Sequence, residues 1–116
     1  MNGNNQMSLE EILSQIKFDS QGLVPAIVQD AVQLDVLMMA WMDKEALKRT
    51  IACGEMIFWS RSRKEYWHKG ETSGNVMSVV EWAPDCDFDT LLFKVKMHGP
   101  QVACHTGART CFFKKM

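Results

Sequence analysis

Apolar residues near the amino terminus recur at the spacing of a helix. Between residues 9 and 17 they stand three or four positions apart, which places them on one face of a short amphipathic helix. Ser8 and Glu11 have the spacing of a capping box, in which the serine hydroxyl accepts an early amide and the glutamate bonds back to the serine amide. A helix over residues 9–17 is therefore predicted, with its apolar face on the core.

A second helix is predicted from Asp43 to about Ala52. Asp43 is a favourable N-cap residue, and Gly54 can adopt the left-handed conformation that ends a helix. Met42 and Leu47 flank the start at the spacing of a hydrophobic staple. The segment thus carries both a start signal and a stop signal.

Six further segments have the apolar composition of strands, and in the last of them apolar and other residues alternate. They are Val24–Gln29, Val36–Trp41, Met56–Ser60, Tyr66–Lys69, Val76–Trp82 and Thr90–Met97. A polar stretch between the first two suits a hairpin. Two short helices among six strands predict a compact α+β domain with a mixed or mostly antiparallel sheet. The chain has neither a glycine-rich nucleotide loop nor a βαβ rhythm, so Rossmann and P-loop folds are excluded.

Composition and charge restrict the function classes. With 116 residues, 47% of them hydrophobic and 23% charged, the chain is predicted to form one globular domain over 1–116, with 1–7 as a disordered tail. The net charge of −1 provides no overall field for nucleic acid. The apolar runs are too short for a membrane span, and the N-terminus lacks the features of a signal peptide. A cytoplasmic protein is expected, in which cysteines near acids and histidine indicate metal binding or catalysis rather than disulfides.

Three aspartates alternate with other residues in the segment Asp85–Asp89. In extended backbone their carboxylates would lie on one face, with Cys86 and Phe88 on the other. Three such carboxylates repel one another unless a cation lies between them, and Mg²⁺ prefers oxygen ligands. An EF-hand is excluded because its central glycine and its bidentate glutamate are missing. A solvated acidic turn is the alternative.

Cysteines and one histidine form a second candidate site. Cys104 and Cys111 bracket a tight loop that contains a glycine, and they can close on one ion. With Cys86 they offer three thiolates, which suit Zn²⁺ and leave the open fourth position of a catalytic site. His105 is either a fourth ligand or a proton carrier beside a zinc-bound water. The alternative is a set of buried reduced thiols, the state expected for Cys53 at the end of the second helix.

A local cluster of cations stands out in a chain that is otherwise neutral. Arg61 and Arg63 are separated by one serine, and Lys69 follows shortly after. The planar guanidinium of arginine binds phosphate through two hydrogen bonds, and the small residues nearby allow a backbone to approach a ligand. Trp59 is placed to stack on a base. A solvated hairpin turn is the alternative.

Together these motifs resemble phosphoribosyl-AMP cyclohydrolase, an enzyme of histidine biosynthesis. The resemblance extends over about residues 20–113 and rests on separate stretches in the same order. They are Gly22–Asp30, Val36–Met42, Trp59–Arg63, Lys69–Gly74, Asp85–Asp89 and Cys104–Gly107. Trp41 and Asp43 stand where the family more often has tyrosine and asparagine, and neither is a proposed ligand. The resemblance is to the monofunctional form, so a pyrophosphohydrolase domain like the one fused to some relatives is not expected.

The resemblance implies two metals and a shared active site. Three cysteines would hold zinc and three aspartates would hold magnesium. The zinc ligands are Cys86, Cys104 and Cys111, and the magnesium ligands are Asp85, Asp87 and Asp89. The family forms an intertwined homodimer with active sites at the subunit interface, and Cys86 comes from the partner chain.

The resemblance also implies a reaction on 1-(5-phosphoribosyl)-AMP. A zinc-bound hydroxide would attack C6 of the adenine ring so that the N1–C6 bond opens, and His105 would move protons to the departing N1. The exocyclic nitrogen stays in the product as a carboxamide, whereas a deaminase would expel it. The residues expected to bind substrate are Trp59, Ser60, Arg61, Arg63, Lys69, Glu71, Ser73 and Gly74.

Three other functions remain open at this point. Another nucleobase amidohydrolase or deaminase would share the activated water, although the histidine, glutamate and paired-cysteine pattern of zinc deaminases is absent. A non-catalytic zinc module would use the cysteines only to hold the fold together. A nucleic-acid binder using Arg61 and Arg63 is disfavoured by the near-zero net charge.

Overall fold

The computed structural model describes residues 7–116, which form two helices and one six-stranded sheet. The helices are α1 (Leu9–Gln15) and α2 (Lys44–Cys53). The strands are β1 (Val24–Asp30), β2 (Val36–Met42), β3 (Ile57–Ser60), β4 (Glu65–His68), β5 (Met77–Pro84) and β6 (Leu91–Met97). The predicted α+β class is confirmed. The predicted tail, apart from its last residue, lies outside the described residues.

The strands are ordered β4-β3-β2-β1-β6-β5 in the sheet. Each neighbouring pair is antiparallel except β1 and β6, which run parallel and connect distant parts of the chain near the middle of the sheet. The predicted hairpin is the pair β1 and β2, and the predicted mixed sheet is confirmed. The alternation in β6 is also confirmed, since every second residue from Leu91 to Met97 is buried in the core and the residues between them are not. Neither helix in this described part of the chain is long and apolar enough to cross a membrane.

Helix α2 begins and ends where its capping residues indicate. The Asp43 carboxylate accepts an amide of the first turn at 2.8 Å, and Gly54 ends the helix with a φ of 78°. Leu47 is fully buried, which for a side chain of its size contributes about 1.5–3 kcal/mol. The buried Thr50 hydroxyl bonds both the amide and the carbonyl of Ile57, so it ties the helix to β3.

Helix α1 is shorter than predicted. Its capping box is present, but the helix ends at Gln15 because Ile16 adopts an extended conformation with a ψ of 129°. Lys17 then donates its amide to the carbonyl of Phe88 at 2.7 Å. The early end of the helix therefore brings the chain beside the turn that joins β5 to β6.

The segment Asp85–Asp89 is a tight turn, so the prediction of extended backbone was wrong. The two antiparallel strands that it joins require a reversal of the chain here. The Asp85 carboxylate builds the turn by accepting the amides of Asp89 and Thr90, and Phe88 has a positive φ of 63°. The acidic residues therefore project from the end of a hairpin at the edge of the sheet.

Arg109 fastens the last loop of the chain to the hairpin of β1 and β2. Its guanidinium donates to both carboxylate oxygens of Asp35, at 3.0 and 3.1 Å, and to Asp30 at 3.0 Å. Hydrogen bonds from Arg109 lower the pKa of Asp35. The backbone amide of Gln33, followed by other donors that include Arg109, lowers the pKa of Asp30 against the effect of desolvation. Both carboxylates are thus stabilised in their charged forms.

Acid is expected to weaken this attachment. A carboxylate whose pKa is lower in the folded than in the unfolded chain contributes stability above its unfolded pKa, near 4, and loses that contribution as the pH falls through the folded value. The melting temperature should therefore fall from about pH 5 to about pH 3 more steeply for the wild-type chain than for the variant Asp35→Asn. Each 1 kcal/mol lost lowers the melting temperature of a domain this size by about 4 °C. Calorimetry across this pH range tests the expectation, and parallel curves for the two chains would contradict it.

Candidate active site

A cavity of about 570 Å³ lies between β4, the turn that follows it and the last loop of the chain. Gly70, with a φ of 85°, allows that turn to close, since a Cβ there would lie 2.2 Å from the amide nitrogen of Val76. The wall of the cavity combines residues of the basic motif with residues of the cysteine motif. They are Arg63, Lys69, Glu71, Ser73, Cys104 and His105.

The last loop brings two thiols together. Backbone hydrogen bonds cross the loop at 3.0 and 3.1 Å, and the Cys111 amide donates to the carbonyl of Leu37 on β2 at 2.7 Å. The hydroxyl of Thr106 donates to the sulfur of Cys104 at 3.0 Å and lowers the pKa of that buried thiol. Cys111 is exposed as a residue, yet partial desolvation of its sulfur and the neighbouring Cys104 raise its pKa. Two sulfur donors on one anchored loop fit the soft-ligand preference of Zn²⁺.

The ammonium group of Lys69 is buried beside this loop. The residue is 7% exposed, and its Nζ donates to the carbonyl of Ala103 at 2.6 Å. The same nitrogen lies 5.1 Å from the centre of the Trp67 ring. Desolvation lowers the pKa of Lys69, and negative charge on Cys111 and Cys104 opposes this shift. Lys69 thus lies in the wall of the cavity, but its ammonium is already bonded to the cysteine loop.

Cys86 does not join the other two thiols within one chain. Across residues 7–116, the one group of three potential ligand side chains within 4.8 Å of each other is the aspartate triad. Cys86 is exposed on the turn between β5 and β6, in the midst of that triad. Cys53 is exposed as well, so the expectation of a buried thiol there was wrong, because the last turn of α2 presents it to solvent. Within one chain, the structure therefore brings two of the three predicted zinc ligands together and leaves Cys86 apart from them.

The three aspartates converge although they stand on a turn rather than on a strand. Their carboxylate oxygens lie within 4.8 Å of one another, and all three side chains are exposed. The neighbouring carboxyl group of Asp87 raises the pKa of Asp89. At Asp85, hydrogen bonds from amides of the turn and from its neighbours outweigh desolvation, so its pKa is lowered. Like charges held this close, with oxygen as the donor atom, fit a hard divalent cation.

The remaining basic residues face a second cavity, of about 960 Å³. Trp59, Ser60 and Arg61 lie in its wall, and the guanidinium of Arg61 lies 4.6 Å from the centre of the Trp41 ring. Arg63 lines both cavities and so stands at the border between them. The candidate phosphate contacts are therefore distributed over two adjoining spaces.

His105 follows Cys104 directly and lies at the surface of the first cavity. The residue is exposed, and among the hydrogen bonds of the described chain none involves its ring. Gly74 lies in the turn behind the cavity, where its amide donates to the carbonyl of Gly70 at 2.8 Å, while its neighbours Ser73 and Asn75 line the space.

Sequence reasoning missed several side chains that line the first cavity beside the basic motif, among them Tyr66, His68 and Asn75. Tyr66 and His68 come from β4, and Asn75 follows the turn. The His68 Nε2 atom lies 2.7 Å from a carboxylate oxygen of Glu55, and the Asn75 carbonyl oxygen accepts the amide of Val102 at 3.2 Å. The one feature of the sequence that could have identified these residues is their proximity to the stretch Lys69–Gly74, which they flank.

Comparison with known proteins supports the resemblance drawn from the motifs. A family model described as phosphoribosyl-AMP cyclohydrolase matches residues 38–113. The chain is 59% identical over 104 residues to the phosphoribosyl-AMP cyclohydrolase of Pelotomaculum thermopropionicum, covering 90% of this chain and 79% of that protein. It is 55% identical over 103 residues to the protein of that name from an Azoarcus species, covering 89% and 78% of the two chains. The corresponding protein of Leifsonia xyli is 57% identical over 104 residues, with 90% and 82% covered.

Proposed function

Because the chain belongs to the phosphoribosyl-AMP cyclohydrolase family and is an enzyme of that type, acting in histidine biosynthesis, we propose that it hydrolyses the N1–C6 bond of 1-(5-phosphoribosyl)-AMP. The observation that carries this proposal is the cavity that joins the Cys104 thiol and His105 to Arg63. Hydrolysis of an anionic nucleotide requires residues that activate a water, through a metal or by proton transfer, beside a cation that binds phosphate.

We assign zinc to the cysteines. Cys104 and Cys111 supply two thiolates, and in a homodimer Cys86 of the partner subunit supplies the third. The lowered pKa of Cys104 favours the thiolate form that a metal needs, and the exposed hairpin turn is accessible to a second chain. Held by these three thiolates, zinc would supply an activated water as a nucleophile at neutral pH.

We assign magnesium to the aspartate triad. The triad and Cys86 share one turn, with Cys86 between Asp85 and Asp87 in sequence. A partner turn that delivers its thiol to the loop of Cys104 therefore delivers the three carboxylates to the same active site. This placement would bring a hard cation close to an anionic substrate.

His105 is the residue we assign to proton transfer. In the balanced reaction, a water oxygen bonds to C6 while His105 takes one proton of that water, the N1–C6 bond breaks, and His105 delivers this proton to N1. The second proton of the water ends on the exocyclic nitrogen. The exocyclic nitrogen stays on the ring-opened product as a carboxamide, so the product gains one water and no ammonia is lost. The position of the exposed His105 beside Cys104 in the wall of the cavity supports this role.

The two phosphates of the substrate are assigned to the cations around the border of the two cavities. Arg63 lies at that border, and Arg61 lies in the wall of the larger cavity. The other proposed contacts are Trp59, Ser60, Glu71, Ser73 and Gly74, whereas the ammonium of Lys69 is already bonded to the cysteine loop.

Replacing Arg61 by alanine is expected to raise KM by about 10- to 100-fold with little change in kcat. A charge-assisted contact to phosphate is worth about 1.5–3 kcal/mol, and it is made equally in the ground state and the transition state. Steady-state kinetics measures both constants. The variant Lys48→Ala, which removes an exposed cation from α2 outside both cavities, is the control. An unchanged KM for Arg61→Ala would remove this residue from the phosphate site.

A mass-spectrometric assay tests the proposed function directly. The zinc-loaded protein is incubated with phosphoribosyl-AMP and magnesium, and both product mass and ammonia are measured. A product heavier by one water without ammonia is the expected result. Ammonia release would indicate a deaminase, and unchanged substrate with a full complement of zinc would indicate a non-catalytic zinc module.

A further inference from the structure

Phosphate binding does not explain the position of the Lys69 ammonium. A lysine that binds a soluble anion normally presents its charge to the open space, as the exposed Arg61 and Arg63 do. Lys69 is instead 7% exposed, and its Nζ is bonded at 2.6 Å to the carbonyl of Ala103, the residue directly before Cys104. Among the lysines and arginines of residues 7–116, Lys69 alone is buried.

The charge of the cysteine site supplies a reason for this position. Three thiolates around a divalent ion carry a net charge of about −1, and an unbalanced charge away from water is costly. Arg109 of the same loop is paired with Asp30 and Asp35, whereas Lys69 places its ammonium against the backbone directly before Cys104. The buried positive charge of Lys69 and the negative charge that the thiolates would carry can thus compensate each other.

We propose that Lys69 is a positioning residue of the metal centre, which holds the backbone beside Cys104 and balances the charge of the thiolates. This inference rests on the proposed assignment of zinc to the cysteines. It predicts that Lys69 acts on metal affinity rather than on substrate affinity. Loss of an outer partner of a metal ligand lowers metal affinity by about 10- to 100-fold.

Cobalt binding tests the role of Lys69 without reference to turnover. The full chain is stripped of metal and titrated with Co²⁺ against a competing chelator, while the thiolate-to-cobalt absorption is recorded. The variants are Lys69→Met, which removes charge and hydrogen bond, and Lys69→Gln, which keeps a donor but removes the charge. Lys17→Met removes an exposed lysine as the matched control. Thermal melting of each variant shows whether it is folded.

We expect both Lys69 variants to bind Co²⁺ about 10- to 100-fold more weakly than the wild-type and Lys17→Met chains. Wild-type affinity in Lys69→Gln alone would show that the hydrogen bond suffices and would overturn the charge-balancing role. Wild-type affinity in both variants together with a raised KM for substrate would overturn the proposal in favour of a phosphate contact. If Lys69→Met does not fold, the comparison is made between Lys69→Gln and Lys69→Arg, which keeps the positive charge. Weak Co²⁺ binding in Lys69→Gln with wild-type affinity in Lys69→Arg would support the charge-balancing role, and wild-type affinity in Lys69→Gln would overturn it. A wild-type chain without the absorption band would overturn the cysteine site itself, and with it the role of Lys69.

Discussion

Replacing Cys104 by alanine is expected to remove zinc and turnover together. Cys104 is the buried residue of the pair, and the hydrogen bond from Thr106 lowers the pKa of its thiol. The thiolate form that binds a metal is therefore favoured at Cys104. Loss of one of three ligands should lower kcat/KM by more than about 100-fold, the upper figure for residues that only support a ligand. Metal content by plasma mass spectrometry and turnover by the product assay measure the two effects.

The matched control for this variant is Cys53→Ala. Cys53 is an exposed thiol at the end of α2, so its loss should change neither the zinc content nor the rate. The melting temperature of each variant separates a loss of catalysis from a loss of folding, which matters because Ala103, the residue before Cys104, belongs to the buried core. Near-wild-type turnover in Cys104→Ala would contradict the assignment of the metal site. Global unfolding on zinc removal would favour a structural zinc module.

Two inactive variants are expected to restore activity when they are combined. If each site uses Cys104 from one chain and Cys86 from the other, then Cys86→Ala and Cys104→Ala are each inactive as homodimers. A mixed dimer of the two carries both defects in one site and neither defect in the other. Random exchange of subunits in an equal mixture makes half of the dimers mixed, so the mixture should reach about a quarter of wild-type activity.

The mixture distinguishes a shared site from a site within one chain. Both parent variants and the mixture are assayed at the same total protein concentration, after denaturation and joint refolding to allow exchange. As a control, Cys104→Ala is mixed with Cys111→Ala. These two residues lie on the same loop, so every site in that mixture keeps one defect and activity should stay at the level of the parents. Absence of recovery from the first mixture, with dimers confirmed by light scattering, would rule out a thiol donated by the partner.

Local elements of the fold were predictable because their signals lie within a few residues of one another. Asp43 and Gly54 marked the two ends of α2, and alternation along β6 marked its buried face. The convergence of the three aspartates was predicted for a wrong reason. The chain reverses at Asp85 through hydrogen bonds to its own amides, and a turn brings the carboxylates together as effectively as a strand would.

The sequence by itself determined the chemistry that the protein carries: soft thiols around a glycine-containing loop, a triad of carboxylates, a run of cations, and their order along the chain. These are properties of residue type and spacing. Only the tertiary structure decided which groups share a space. Lys69 meets the carbonyl of Ala103 across 34 positions of sequence, and Cys86 lies on a separate turn from the two thiols that it was expected to join. The physical reason is that such contacts depend on long-range strand pairing, above all the parallel pair β1 and β6, which no local pattern specifies.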